Sequence, residues 1–428
     1  MNKKLEDIFN FSEISDECVK CGKCIPVCTI YNVNADEVTT PRGFIDLLGA
    51  YQRGDLELDK TLKDIFESCF LCTACVEVCP NSLPTDMVIE QVRSDIADKF
   101  GLAFFKKAFF YLLRHRFAMD VLFKMGYVFQ TCGFKIKEAQ NSMQPRFNLP
   151  LIKKERLLPS MGKTSFLNSY PEETSNGGRR KVAIFIGCLS NYNYTETGKA
   201  LMDVLEKLEI DVLIPKKQLC CGAPAYFTGD SATVEHNAKK NIRYFETFID
   251  EVEAIIIPEA TCSAMIKIDY EHFFHDDVEW RTRAKLLKDK IFMATEWLEQ
   301  KTELHDLLSQ KKAQDFSVTY HDACHAKKMQ GIYQEPRKLL KQNYAITEMS
   351  DSNACCGFGG VTMQTEKFHF AEAVGRPKAA MIRNTGAKVV SSECSACRMQ
   401  ITNSLHEADV DVLFKNPIEL IADALKER

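Results

Sequence analysis

The sequence predicts a mostly α-helical N-terminal module followed by an α/β region of two duplicated, cysteine-rich repeats with parallel strands. Residues 1–100 lack the alternation of a half-buried strand, and they contain two short runs of closely spaced cysteines. From residue 181 onward, short β-branched runs alternate with helical stretches, which is the pattern of parallel α/β units. The cysteines of this second region also recur at matched intervals, which indicates an internal duplication.

The two N-terminal cysteine runs share the spacing C-x2-C-x2-C-x3-C. The run over residues 69–80 ends in proline, whereas the run over residues 18–29 ends in threonine. This spacing is typical of the ligands of cubane [4Fe-4S] clusters, and in two-cluster ferredoxins the fourth cysteine of each run binds the other cluster. A two-cluster ferredoxin-type module is therefore expected over residues 1–100. Its predicted ligands are Cys18, Cys21, Cys24 and Cys79 for one cluster and Cys69, Cys72, Cys75 and Cys28 for the other.

Pairs of the form C-x2-C also occur in zinc ribbons and in disulfide frameworks. A structural zinc ion takes four ligands, whereas here two runs each supply four thiols at unbroken short spacing. The repeated register favours iron-sulfur clusters over both alternatives.

Composition places the chain among ordinary globular proteins and limits its partners. It has 428 residues, of which 45% are hydrophobic and 27% charged, and its formal net charge is -4. Nucleic acid is an unfavourable partner because no strong positive field would attract it. The first residues lack the apolar segment of a signal peptide, and eighteen cysteines without secretion indicate thiolate ligands in a reducing compartment. We expect a cytoplasmic protein, with a peripheral position on the inner face of the cytoplasmic membrane as the alternative.

Residues 101–180 are predicted to be a helical connector and linker. The apolar stretch over residues 104–134 is interrupted by charged side chains, so it does not reach the roughly 18 uncharged residues needed to cross a bilayer. Packing on a neighbouring domain is favoured over a position in a bilayer interface. Residues 141–180 contain several prolines and a Ser-Asn-Gly-Gly run, which is the composition of a linker between domains.

In the α/β region, a cysteine lies at or beyond the carboxyl end of each predicted strand, which is where ligands bind in open α/β sheets. The first repeat, residues 181–300, carries Cys188, Cys220, Cys221 and Cys262, and the second, residues 301–428, carries Cys324, Cys355, Cys356, Cys394 and Cys397. Cys324 follows Cys188 by 136 residues, and Cys355 follows Cys220 by 135. Each repeat is therefore predicted to gather its cysteines around one metal site.

The two repeats differ in their last cysteine, because Met265 occupies the position that matches Cys397. A thioether is a poor substitute for a thiolate on iron. The second repeat is therefore predicted to hold a further iron-sulfur cluster, and the first a weaker site that binds a cluster with another ligand, a metal such as zinc, or nothing. The glycines beside the paired cysteines are expected to let the backbone approach the sulfurs and donate N-H groups to them; they are Gly222, Gly357, Gly359 and Gly360.

Two histidines flank Cys324 in the second repeat. His321 and His325, together with Asp322, are candidates for supporting the metal ligands or for a proton route to a quinone, and a purely structural role is the alternative for each histidine.

Taken together, the two N-terminal runs and the two repeats of the form C, CCG, C-x2-C resemble the iron-sulfur subunits of glycolate oxidase. This family of CCG-repeat iron-sulfur oxidoreductases is related to anaerobic glycerol-3-phosphate dehydrogenase and heterodisulfide reductase. The resemblance covers nearly the whole chain and includes residues 40–43 and 355–360. In heterodisulfide reductases each complete five-cysteine repeat holds a noncubane [4Fe-4S] cluster; the second repeat matches that pattern and the first departs from it at Met265.

The resemblance implies the electron-transfer subunit of a respiratory 2-hydroxy acid dehydrogenase of the glycolate oxidase type. The sequence has no G-x-G-x-x-G motif opening a βα unit, so substrate oxidation is expected on a separate FAD-containing subunit, with no flavin on this chain. Quinone is the expected acceptor. The alternatives are a subunit of an anaerobic glycerol-3-phosphate or lactate dehydrogenase and a catalytic subunit like that of heterodisulfide reductase.

Overall fold

The computed structural model of the protein describes residues 11–426, and its first part is helical as predicted. The helices of this module are α1 Phe11–Glu17, α2 Tyr31–Asn34, α3 Pro41–Gln52, α4 Lys60–Phe66, α5 Ala74–Val78 and α6 Thr85–Phe100. The sequence predicts a helix entered at Pro41, since proline favours the first turn of a helix, and α3 begins there. The hydroxyl of Thr40 accepts a hydrogen bond from the Gly43 amide at 3.1 Å and so caps the helix. Phe44 and Phe66 contribute buried rings to the core of this module.

The connecting region begins with two helices and continues into a small antiparallel sheet. Its elements are α7 Phe104–Arg114, α8 Arg116–Gly133, β1 Phe134–Lys137, β2 Ser142–Pro145, β3 Leu158–Pro159 and α9 Phe166–Ser169. Residues 141–180, where the sequence predicts a linker, include the paired strands β2 and β3, and the buried side chains of Phe166 and Leu167 join the core of the α/β region. Pro145 and Pro159 lie at the ends of these two strands.

The first repeat is built on a five-stranded sheet with helices between its strands. The order is β4-β6-β5-β7-β8, and all neighbours pair in parallel except the edge strand β4. Its elements are β4 Glu173–Thr174, β5 Lys181–Ile184, α10 Cys188–Tyr192, α11 Thr195–Lys207, β6 Asp211–Leu213, α12 Ala223–Tyr226, α13 Ser231–Phe245, β7 Ile255–Ile257, α14 Ala260–Ala264, α15 Tyr270–Phe273, α16 Val278–Leu287, β8 Ile291–Met293, α17 Ala294–Lys301 and α18 Leu304–Ser309. A π-helical turn over Met265–Asp269 joins α14 to α15.

The second repeat is a four-stranded parallel sheet of order β10-β9-β11-β12. Its elements are β9 Ser317–Tyr320, α19 Cys324–Gln330, α20 Glu335–Leu340, β10 Ala345–Ile346, α21 Gly360–Thr365, α22 Phe368–Asn384, β11 Val389–Ser391, α23 Ser395–Glu407, β12 Leu413–Lys415 and α24 Pro417–Lys426. This order matches β6-β5-β7-β8 of the first repeat strand for strand. The structure therefore confirms the predicted α/β fold and its duplication.

The two repeats share one hydrophobic core through exchanged helices. Helix α24, at the end of the second repeat, packs on α11 of the first, and α17, which follows the last strand of the first repeat, packs on α20 of the second. The joint core contains fully buried side chains from both repeats, such as Val182, Trp297 and Ile418. Each repeat thus covers its apolar surface with a helix of the other.

The N-terminal module is also joined closely to both repeats. Met363 and Phe368, from the second repeat, lie in the same core as Phe44 and Phe66 of the N-terminal helices. The guanidinium group of Arg93 in α6 donates to the backbone carbonyls of Cys69 at 2.6 Å and of Phe227, in the first repeat, at 2.8 Å. Burial of such a cation requires partners of this kind, since an unpaired polar group in a core is costly.

Within residues 11–426, no helix is long and apolar enough to cross a membrane. The apolar stretch predicted to pack on a neighbouring domain does so on one side only. Phe110 and Leu113 of α7 are buried against the first repeat, whereas Phe104, Phe117 and other apolar side chains of α7 and α8 are exposed.

Two glycines with nearly the same left-handed backbone provide a matched test of the contact between modules. At Gly359 (φ 63°), a Cβ would lie 2.7 Å from the Phe70 ring of the N-terminal module, whereas at Gly331 (φ 75°) it would have no neighbour within 4 Å. Both alanine substitutions carry the backbone cost of about 1 kcal/mol. We expect Gly359→Ala to lower the free energy of unfolding by roughly 1–3 kcal/mol more than Gly331→Ala because of overpacking. Denaturant unfolding of both variants measures this; equal losses would contradict the tight contact.

Candidate metal centres

The structure gathers the eight cysteines of the N-terminal runs around two cavities. One cavity is lined by Cys18, Cys21, Cys24, Cys75 and Cys79, and the other by Cys28, Cys69, Cys72 and Cys75. Thus the last cysteine of each run, Cys28 or Cys79, lies beside the first three of the other run, and Cys75 lies between the two cavities. All eighteen cysteines of the chain are free thiols.

Burial makes these thiols poor acids in the absence of a cation. It raises the pKa of Cys28 to about 12 and that of Cys69 to about 11, although the nearby Arg93 guanidinium partly offsets the second shift. The hydroxyl of Thr29 lies 3.1 Å from the sulfur of Cys72. Since a metal ligand must be deprotonated, metal binding here would displace protons from the thiols and replace them with a stronger positive charge.

The second repeat brings its five cysteines together at the carboxyl ends of β9 and β11 and in the loop before α21. The sulfurs of Cys356 and Cys397 are 3.3 Å apart, and the amide of Cys397 donates to the sulfur of Cys394 at 3.5 Å. The amide of Gly357 donates to Cys355 at 3.4 Å, as predicted. Hydrogen bonding with Cys355 and Cys397 lowers the pKa of Cys356.

His321 is part of this cluster. One of its ring nitrogens lies within 4.8 Å of the sulfurs of Cys356 and Cys397, and these three side chains are all buried. Burial and the charge of Lys378 hold the pKa of His321 well below its usual range, so the imidazole is neutral. His325, in contrast, lies beside Cys324, with 3.4 Å between its Nδ1 and the sulfur.

The first repeat assembles its four cysteines in the equivalent place. The sulfurs of Cys221 and Cys262 are 3.4 Å apart, Cys188 hydrogen-bonds Cys220, and the amide of Gly222 donates to Cys220 at 3.5 Å. Burial raises the pKa of each of these thiols. Met265 begins the π-helical turn and is fully buried. The structure therefore offers four thiols in the first repeat against five in the second.

The second cysteine run of the N-terminal module contacts the second repeat directly. The thiol of Cys72 hydrogen-bonds that of Cys355. The ammonium group of Lys328 in α19 donates to the backbone carbonyl of Cys72 at 3.2 Å, and its pKa is raised by the neighbouring Cys72 and Cys324 sulfurs against the effect of burial. The amide of Asn353 donates to Glu77 of α5 at 3.3 Å. The contact thus includes sulfur atoms, the half-buried ammonium group of Lys328 and polar hydrogen bonds.

The two repeat sites are neighbours as well. The hydroxyl of Thr261, next to Cys262, lies 3.5 Å from the sulfur of Cys394. The buried carboxylate of Glu259 accepts hydrogen bonds from the amide of Ser395 at 2.8 Å and from the hydroxyl of Ser190. The cysteine groups therefore follow one another in space: the group of Cys18, the group of Cys69, the second repeat and the first repeat.

A cluster of buried acids, which was not predicted from the sequence, lies where the three parts of the molecule meet. Asp86 and Glu90 of α6 face Asp269 at the end of the π-helical turn, and Tyr226 hydrogen-bonds Glu90. Burial raises the pKa of all three carboxyl groups, that of Asp269 to about 7. The spacing of Asp86, Glu90 and Arg93 by four and three residues on one helix was the signal that they share a face.

The donor sets fit iron-sulfur clusters. Thiolates are the usual ligands of [4Fe-4S] clusters, and each N-terminal cavity has four predicted cysteine ligands in its lining. Buried thiols whose neighbours are other thiols are arranged for a shared cation rather than for packing alone.

Comparison with known proteins agrees with this interpretation. Residues 14–83 match the 4Fe-4S dicluster domain, and residues 182–267 and 318–402 match the cysteine-rich CCG domain. A probable glycolate oxidase iron-sulfur subunit of Bacillus subtilis is 29% identical over 416 residues, which cover 93% of this chain and 92% of the relative. Lactate utilization protein A of the same organism is 33% identical over 244 residues, which cover 56% of this chain and 98% of the relative.

One solved structure has a related fold. A hypothetical protein from Helicobacter pylori superposes with a TM-score of 0.55 at 11% identity, covering 99% of this chain and 76% of that one. At this identity the likeness concerns the fold alone.

The fold and its cysteines define an iron-sulfur protein with a dicluster module and paired cysteine-rich repeats. The chain belongs to the family of CCG-repeat iron-sulfur oxidoreductase subunits that includes the glycolate oxidase iron-sulfur subunit.

The arrangement of the two cavities predicts which signal a single substitution would change. We expect Cys79→Ser to alter the EPR signal of the cluster bound by Cys18, Cys21 and Cys24, and Cys72→Ser to alter the other signal, because each cavity combines cysteines of both runs. EPR of the two variants, each reconstituted and reduced, tests this. The crossed assignment is wrong if both substitutions damage one signal and spare the other.

The buried acids predict a pH dependence of stability. The pKa of Asp269 is about 7 in the folded chain, against an ordinary value of 3.8, so the folded chain holds this proton more tightly than the unfolded chain does. The free energy of unfolding therefore falls as pH rises from about 4 to about 7, by roughly 1.4 kcal/mol per pH unit at most. Asp269→Asn stays neutral, so we expect it to be more stable than the wild type at pH 8 and similar at pH 4. Thermal unfolding at the two pH values measures this. The same difference at both would exclude the carboxyl group as the cause.

Proposed function

We propose that this chain is the electron-transfer subunit of a 2-hydroxy acid dehydrogenase of the glycolate oxidase or lactate utilization type. It would carry electrons from an FAD-containing partner towards quinone, with substrate oxidation on the partner and no flavin on this chain. The names of the relatives from Bacillus subtilis support glycolate and lactate as the substrate class.

The proposal assigns a ligand set to each centre. One [4Fe-4S] cluster would be held by Cys18, Cys21, Cys24 and Cys79 and the other by Cys69, Cys72, Cys75 and Cys28. A further iron-sulfur cluster would be held in the second repeat by Cys324, Cys355, Cys356, Cys394 and Cys397, and a weaker site in the first by Cys188, Cys220, Cys221 and Cys262. When bound, such clusters accept and release single electrons.

The hydrogen bond between Cys72 and Cys355 is the single observation that carries this proposal. It joins a predicted ligand of one proposed centre to a predicted ligand of the next. Lys328 supplies a half-buried positive charge to both groups, which favours the reduced, more negative state of whatever they hold. The amides of Gly357 and Leu71 donate to the sulfurs of Cys355 and Cys69, and such bonds stabilise negative charge on sulfur.

Two regions of the surface support contacts with other components: the region of the exposed Cys21 and the exposed apolar side chains of α7 and α8. Cys21 is exposed, so the first cysteine group lies at the surface, where a flavoprotein partner could approach it. The exposed apolar side chains of α7 and α8, among them Phe117 at 82% and Phe129 at 61% exposure, support a peripheral contact with the inner face of the cytoplasmic membrane. Lys124 on α8 supplies positive charge for anionic headgroups.

Purification of the native complex without oxygen tests the proposed function. We expect an FAD-containing subunit to purify with this chain, and the complex to reduce a quinone analogue with glycolate or lactate. Reduction of a disulfide substrate by this chain alone, with a viologen as electron donor, would instead indicate a catalytic subunit like heterodisulfide reductase.

Substitutions in that complex test the prediction that the second repeat holds a redox centre and the first repeat a weaker site. Cys356→Ser is expected to abolish quinone reduction while the N-terminal clusters remain reducible, because Cys356 belongs to the five-thiol set next to Cys72. Cys221→Ser, its counterpart in the first repeat, is expected to lower stability more than electron flow. Iron content, EPR and turnover of both variants provide the measurement. Equal loss of iron and turnover in both would show that the first repeat holds a working cluster despite Met265.

A further inference from the structure

His321 and Cys397 of the second repeat are replaced together in the first repeat. His321 precedes Cys324 by three residues, and Phe185 precedes Cys188 by three; Met265 stands where the second repeat has Cys397. Within one duplicated fold, the two repeats therefore differ at two positions, where the second has an imidazole and a thiol and the first has a phenyl ring and a thioether, a poor ligand for iron. Cys356, in contrast, has a cysteine as its counterpart in the first repeat, Cys221.

The replaced side chains are core residues in the first repeat. Phe185 is 1% exposed, and its ring makes an edge contact with Phe245 at 5.9 Å between centroids. Met265 is fully buried in the same core. The position of His321 is therefore a buried site at the end of the first strand of the fold, and nothing in the fold itself requires a polar group there.

The hydrogen bonding of His321 leaves one nitrogen free. The imidazole ring hydrogen-bonds the backbone of Ser352, and its Nδ1 has no hydrogen-bond partner although the residue is only 1% exposed. Nδ1 is therefore a buried ring nitrogen without a hydrogen-bond partner, and it can serve as a donor atom for a metal. Histidines that bind metals commonly donate their other N-H to a backbone carbonyl or carboxylate in this way, because that bond fixes the tautomer and the ring orientation.

A buried nitrogen without a hydrogen-bond partner is costly, but Nδ1 of His321 has neighbours that indicate a role in metal binding. Among the described residues, the set of His321, Cys356 and Cys397 is the one group of three side chains with donor atoms close enough to hold a metal ion, all within 4.8 Å of one another. Imidazole can replace thiolate on iron, as in Rieske centres, where it raises the reduction potential.

We propose that His321 is a ligand of the metal centre in the second repeat, binding through Nδ1 beside Cys356 and Cys397. The inference rests on the proposed function, since it requires that this repeat holds an iron-sulfur centre. It gives the second centre a donor of lower negative charge than a thiolate and distinguishes it from the four-thiol site of the first repeat. His321 would thereby set the potential of the centre next to Cys72.

Nitrogen hyperfine coupling tests the proposal independently of turnover. The full chain is prepared with 15N-labelled histidine, reconstituted with iron and sulfide without oxygen, and studied by pulsed EPR. The signal of the second repeat is the one that Cys356→Ser removes. We expect this signal to show a strong coupling to one histidine nitrogen, which is lost in His321→Cys. That variant keeps a donor, so it should keep the signal, with a lower midpoint potential because a thiolate replaces a neutral ring.

His325→Gln is the matched control, because His325 lies next to Cys324 but its ring faces the Thr261 hydroxyl and that single sulfur. The nitrogen coupling should persist in this variant. A signal that shows no histidine coupling in the wild type, or the same coupling in His321→Cys, overturns His321 as a ligand while leaving the second-repeat centre intact. If no signal depends on Cys356, the proposed centre fails and the inference fails with it.

Discussion

The contact between the second cysteine run and the paired-cysteine loop of the second repeat is the interaction on which the rest of the molecule depends. It brings Cys72 against Cys355, and it requires the backbone of Gly359 to pass the ring of Phe70 so closely that a side chain would not fit. Arg93 secures the same region by binding carbonyls of the N-terminal module and of the first repeat. A domain that merely tethered its clusters would not need these buried bonds, so the modules act as one body around the sulfur groups.

The duplicated half shows how one fold can hold two different sites. The strand order is the same in both repeats, and both place paired cysteines before a glycine with a left-handed backbone, Gly222 or Gly357. The difference lies in a few side chains, since Phe185 and Met265 are core residues where the second repeat has His321 and Cys397, and in the π-helical turn that begins at Met265. The scaffold fixes where donors converge, and single positions decide how many donors there are.

Much of this arrangement could be predicted from the sequence because cysteine spacing is a strong signal. The α/β fold, the duplication and the helix at Pro41 followed from local patterns, and the structure confirms them. The three-residue edge strands β8 and β12 carry too little alternation to be recognised. Proline is an ambiguous signal in the predicted linker, because Pro145 and Pro159 lie in the short strands β2 and β3. The acids Asp86 and Asp269 come together only through the packing of α6 against the π-helical turn, which no local pattern encodes.

The exchanged helices of the two repeats have a consequence for the origin of the fold. Because α24 covers α11 and α17 covers α20, one repeat alone would leave an apolar helix face open to water. A single-repeat ancestor with this arrangement would have folded as a symmetric pair of identical chains with two identical metal sites. Fusion of the two copies removed the requirement for identity. It then became possible for one half to lose donors while the other kept them, which no homodimer can do.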